Sequence, residues 1–166
     1  SVMLLHNDPS ATERVLVDAM GFRKVLADGP RVRYESGNGG SGTSVDLLHS
    51  PSATHGRIAG GSVHHVAFRV ADDEAQAVWQ NRLLEAGHPT TEVKDRMYFH
   101  SIYFREPGGV LFELATDNPG FAVDEPVTRL GSELRLPPWH EELRDQIEGT
   151  LPPIEDPADA RAGEAA

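Results

Sequence analysis

The sequence predicts an α+β fold, with two βαβββ modules whose curved mixed sheets pair into a cup and a helix added toward the C-terminal end. Three observations predict it. The chain runs twice through one order of elements: a strand-like run, an amphipathic helix ended by glycine, then three more strand-like runs, over about 55 residues each time. Glycine and proline turns such as Asp28-Gly29-Pro30 and Glu106-Pro107-Gly108-Gly109 punctuate both passes. The passes can also be laid over each other. With Val2 set on Val66, Ser1 falls on His65 and Asp8 on Asp72; Ser44–Leu48 set on Leu111–Ala115 puts Asp46 on Glu113.

In the first module, 1–59, Ser1–His6 reads as a strand. Asn7-Asp8-Pro9-Ser10 carries helix-start chemistry. Val15, Leu16, Ala19 and Met20 give helical spacing over Ala11–Met20, and Gly21 ends the helix. Phe22–Ala27, Arg31–Glu35 and Ser44–His49 follow as strands, then a linker-like stretch from Pro51 to Gly60. In the second module, 60–120, Val63–Val70 is a strand. Asp72-Asp73-Glu74 caps a helix to about Ala86, stopped by Gly87. Thr90–Val93, Tyr98–Arg105 and Val110–Thr116 are the remaining strands, with Asp95-Arg96 at a turn. The extension 121–151 holds a helix from Pro137 to about Glu148 with Trp139, Leu143 and Ile147 on one face. The tail, 152–166, is Pro, Ala, Asp and Glu, a composition expected to be disordered.

Composition narrows the function. A chain of 166 residues that is 39% hydrophobic and 25% charged suits a globular protein. A formal charge of −11 argues against a nucleic-acid partner, which needs clustered Lys and Arg. No run approaches the ~18 apolar residues of a membrane span. No leader is visible, so a cytoplasmic location is the expectation. The absence of cysteine excludes disulfides, zinc–thiolate sites and a thiol nucleophile. The start at Ser1, inside a strand-like run, leads to the expectation that the natural N-terminus lies further upstream.

The chemistry concentrates in the second module. Alternation along Val63–Val70 puts His65, Ala67 and Arg69 on one face, and His64, Val66, Phe68 and Val70 on the core face. On the last strand Glu113 shares a face with Leu111 and Ala115. A lone carboxylate among apolar residues is costly unless paired or metal-bound. A His and a Glu on neighbouring strands suit a divalent metal with nitrogen and oxygen ligands. A strand histidine is, on spacing alone, more often a hydrogen-bonded packing residue. His6, His49, His55, His88, His100 and His140 read as surface or capping residues, with His49 and Asp46 as weaker alternative ligands.

Three strings carry a resemblance: G-S-V-H-H-V-A-F-R-V-A-D-D, D-R-M-Y-F-H-S-I-Y-F-R-E-P-G-G-V-L-F-E-L-A-T-D-N-P-G-F, and L-P-P-W-H-E-E-L-R. With the tandem βαβββ repeat, they resemble the vicinal oxygen chelate superfamily of glyoxalases, bleomycin-resistance proteins and extradiol dioxygenases. The match is closer to its hydroquinone 1,2-dioxygenase-like, ring-cleaving branch, over about residues 1–152. The resemblance implies a mononuclear Fe(II), with Mn(II) or another divalent metal as the alternative, held by two His and one carboxylate. His65 matches a ligand His and Glu113 the carboxylate. His64 matches a histidine beside the ligand, and Arg96 and Tyr103 match polar residues lining the substrate pocket. The implied partners are a small aromatic substrate and O2. Family members have four modules, so this chain matches their C-terminal half. The third ligand is then expected from the missing N-terminal half or another copy, with a homodimer as one form. A non-catalytic small-molecule binder of the bleomycin-resistance type is the alternative, as is a lyase or isomerase of glyoxalase type drawing on Asp46.

Overall fold

The computed structural model describes residues 1–54 and 56–152. Ser1–Asp124 forms one compact unit that contains both modules, and a second unit begins at Glu125. The tail beyond Pro152 and His55 lie outside the described residues.

The first module comprises β1 (Val2–His6), α1 (Ser10–Arg14) continued by a π-helical stretch Val15–Ala19, β2 (Arg23–Asp28), β3 (Arg31–Glu35) and β4 (Ser44–His49). The second comprises β5 (Val66–Val70), α2 (Asp73–Glu85), β6 (Lys94–Asp95), β7 (His100–Arg105) and β8 (Leu111–Thr116). Each module makes one mixed sheet, in the orders β1-β4-β3-β2 and β5-β8-β7-β6. In both, the first strand runs parallel to the last, and the others are antiparallel. The fold is α+β, as the repeat predicts.

The overlay made on sequence reappears in the strand registers. Met3, Asp46 and Arg33 stand side by side across the first sheet. Ala67, Glu113 and Tyr103 do so across the second. Ser1 precedes Val2 as His65 precedes Val66.

Apolar side chains on the helix-facing sides of both sheets fill one continuous core. Leu16, Leu83, Ile102 and Phe112 are fully buried in it. Phe68 joins the modules, edge-on to Phe22 at 5.8 Å and to Phe112 at 5.0 Å between ring centroids. Such rings add about 1 kcal/mol each beyond their buried area. The Asp72 carboxylate accepts the Ala75 N–H at 2.8 Å and starts α2. The buried Gln76 amide then donates to the carbonyls of His100 and Leu114, both at 2.9 Å, pinning α2 to β7 and β8. Those bonds hold the strands that carry the site.

Three local expectations change. The strand forecast at Thr90–Val93 does not form, and the short β6 lies just beyond it at Lys94–Asp95. The Gln80 amide takes the Thr91 carbonyl at 2.9 Å and so occupies a ladder partner. The strand forecast from Val63 begins at Val66, so strand alternation does not govern His64 and His65. The single helix forecast from Pro137 is a 3₁₀ stretch, Pro138–Leu143, followed by α3 (Arg144–Thr150). Trp139 and Leu143 on its apolar stripe are exposed. No helix among the described residues is long and apolar enough to cross a membrane.

Candidate metal centre

Glu113 sits at the middle of β8, 3% exposed, on the face opposite Phe112 and Leu114. Burial of an ionised carboxylate is costly unless its oxygens are satisfied. Its Oε1 accepts hydrogen bonds from the Tyr103 hydroxyl at 2.7 Å and from the Ser101 hydroxyl. Its Oε2 lies 2.6 Å from His65 Nε2. Two acceptor atoms this close repel unless a cation stands between them. A proton is one such cation, and a divalent metal is another.

His65 ends the approach to β5, half-buried, with its ring edge-on to Tyr103 at 6.1 Å. Its Nδ1 lies 2.9 Å from His64 Nδ1. If His65 Nε2 offers a lone pair, Nδ1 carries the proton and donates it to His64. A ligating histidine commonly makes that outer hydrogen bond, which fixes its tautomer. The alternation argument, which put His64 on the core face, is therefore corrected. His64 is exposed and turned beside His65 because the chain is not yet a strand there.

Arg96 reaches the same cluster from the turn before β7. The Asp95 carboxylate accepts the Met97 N–H at 2.7 Å, and Met97 takes the left-handed region at φ 68°. A non-glycine residue there costs on the order of 1 kcal/mol. The turn presents the Arg96 guanidinium to the Tyr103 hydroxyl, with Nη2 at 3.2 Å, and over the Tyr103 ring at 5.4 Å. The structure thus brings His64, His65, Arg96, Tyr103 and Glu113 into one cluster. Ser101, which the sequence reading passed over, joins it. Its signal was available: it lies two residues before Tyr103 on the same strand face.

The donor set fits a divalent metal in kind, with one imidazole nitrogen and one carboxylate oxygen. Two ligands at right angles, each about 2.1 Å from one ion, stand about 3 Å apart, within a few tenths of the separation here. Among the described residues no group of three His, Asp or Glu side chains is clustered for a metal. The pair thus offers a divalent ion two donor atoms, His65 Nε2 and Glu113 Oε2.

Asp46, the first sheet's counterpart of Glu113, is corrected as an alternative ligand. Arg33 Nε at 2.8 Å and Arg31 Nη2 at 2.8 Å hold its carboxylate. They keep its pKa at about 2, the Arg33 hydrogen bond being the largest cause. Its negative charge is already matched. His49 is exposed at the end of β4. His6, expected on the surface, is instead buried at 4% exposure, its ring packed where a Cβ on Gly108 would collide with it. His100 pairs with Asp73 at 2.6 Å, joining β7 to the start of α2.

The sequence profile of the Glyoxalase/Bleomycin resistance protein/Dioxygenase superfamily matches residues 1–114. The chain is 45% identical over 152 residues to "Putative ring-cleaving dioxygenase MhqO" of Bacillus subtilis (strain 168), covering 92% of this chain and 48% of that protein. It is 39% identical over 127 residues to the chlorohydroquinone/hydroquinone 1,2-dioxygenase of Sphingobium indicum, covering 75% and 39% respectively. The crystal structure of a "putative dioxygenase" from Bacillus subtilis superposes with a TM-score of 0.84 at 44% identity, over 92% of this chain and 49% of that one. The chain spans about half the length, or less, of the curated relatives it matches.

Proposed function

The chain belongs to the glyoxalase/bleomycin resistance protein/dioxygenase superfamily, and from that premise we propose that it supplies two ligands of the mononuclear Fe(II) in a ring-cleaving, extradiol-type dioxygenase. The observation that carries the reading is the 2.6 Å approach of His65 Nε2 to Glu113 Oε2. Hydroquinone- or catechol-like aromatics and O2 are the proposed substrates, in keeping with the names of the relatives. The third ligand comes from the length those relatives have and this chain does not span, or from a second copy.

Bound Fe(II) would supply a redox-active Lewis acid able to gather a phenolic hydroxyl and dioxygen at one point. The chain's own residues do the rest. Glu113 brings one negative charge through Oε2, and His65 brings a neutral nitrogen. His64 holds the His65 tautomer by accepting its Nδ1–H, which leaves His64 Nε2 as an N–H donor toward a substrate oxygen. Arg96 is exposed, and its fixed positive charge orients a phenolate oxygen. The Tyr103 hydroxyl lies between Arg96 and Glu113, where it can pass or hold a proton.

The test is O2 uptake with hydroquinone by full-length, iron-loaded protein. Uptake that disappears in His65→Ala supports the reading. Stoichiometric iron without uptake overturns it.

A further inference from the structure

We infer that Ser101 is a positioning residue for Glu113, whose buried hydroxyl fixes the carboxylate so that Oε2 is the oxygen offered to the cation beside His65. The inference rests on the metal reading above and adds a residue to it. Ser101 is fully buried, at 0% exposure, and donates to Oε1. Tyr103 donates to the same oxygen. A carboxylate oxygen accepts about two such donors, so Oε1 is filled while Oε2 is left facing His65. The terminal torsion of a glutamate is broad and roughly two-fold, so an unrestrained carboxylate exchanges its oxygens readily. Tyr103 restrains it less well than Ser101. The phenol is half-buried and shared with Arg96, where substrate can draw it away.

The first sheet supplies independent support. In the second sheet Ser101 pairs with Ala115, two residues beyond Glu113. In the first sheet Arg31 pairs with Leu48, two residues beyond Asp46, and donates to that carboxylate. The position therefore delivers a donor to the central carboxylate in both modules. An arginine there cancels the carboxylate's charge. A serine orients the carboxylate and leaves its charge for a metal.

The experiment is a Co(II) titration of the full-length protein, read by binding affinity and by the visible absorption of the bound ion. Ser101→Ala is expected to weaken Co(II) binding about 10-fold or more and to change the absorption envelope, as loss of a ligand's outer partner does. Ser101→Thr, which keeps the hydroxyl, is expected to stay near wild type. Where the alanine variant does not fold, Ser101→Cys, of similar volume and weaker as a donor, takes its place with the same expectation. Unchanged affinity and absorption in Ser101→Ala overturn the inference and leave the metal reading standing. Equal loss in the alanine and threonine variants overturns it too, because the hydroxyl is then not the cause. A full-length wild-type protein that binds no Co(II) overturns both.

Discussion

The two sheets place a carboxylate at the same point of the same register and use it in opposite ways. Asp46 meets two guanidiniums, at 2.8 Å each. Glu113 meets two neutral hydroxyls and one imidazole. Both carboxylates are almost wholly buried. The first is a closed ion-pair cluster that joins β3 to β4. The second has no guanidinium beside it and faces the His65 ring at 2.6 Å. Duplicated architecture thus holds one carboxylate in an ion-pair cluster and the other among hydroxyls and an imidazole, and the neighbouring residues decide which is which. Serine for arginine at one position, tyrosine for arginine at another, and histidine for serine ahead of the first strand make the difference.

The largest expected effect comes from the Glu113 side. Glu113→Gln in the full-length protein, assayed with Fe(II) supplied, should lower hydroquinone-dependent O2 uptake at least 100-fold. The fold should survive, because Ser101 and Tyr103 can still donate to the remaining carbonyl oxygen. Folding is checked by the urea unfolding midpoint, expected within about 1 kcal/mol of wild type. Next comes the structural side. Asp46→Asn leaves two guanidiniums without their counter-charge and should cost roughly 2 kcal/mol, less than for a fully buried pair because both arginines are about a third exposed.

That cost should depend on pH. The folded pKa of Asp46 is depressed to about 2, below an unfolded value of about 4. Its stabilisation is therefore fully present above pH ~4 and lost as pH falls through ~2. The stability gap between wild type and Asp46→Asn should be constant near neutrality and shrink across that acidic window. A gap that widens on acidification would contradict the assignment. The smallest effect is expected from Tyr103→Phe. It removes one of two donors to Oε1 and the group Arg96 rests on, so metal affinity should fall only a few-fold, while turnover falls about 10-fold or more.

Much of this was legible in the sequence. The repeat was readable because each module needs the same helix caps and turns, so Asp72 and the helix-ending glycines punctuate it. The bounds of β3 follow from alternation between turns, and β4 matches the strand-like run Ser44–His49. His65 and Glu113 stood out because each interrupts an apolar strand environment. The convergence of Arg96 and Tyr103 came from the family resemblance, not from local pattern, since six residues, Met97 with its left-handed backbone among them, lie between the two. The place of His64 was misjudged by alternation because the strand starts only at Val66. The fate of Asp46 was hidden because Arg31 and Arg33 look like ordinary outward charges of a half-buried strand until the register with β4 is known. His6 was missed because its burial depends on Gly108, a hundred residues away in sequence.

The most direct measurement is equilibrium dialysis of wild type, Glu113→Gln and Asp46→Asn, side by side, against Fe(II) under anaerobic conditions. The account predicts about one iron per wild-type chain in the intact protein, the same in Asp46→Asn, and essentially none in Glu113→Gln. Iron retained by Glu113→Gln, or lost with Asp46→Asn in a folded protein, would contradict it.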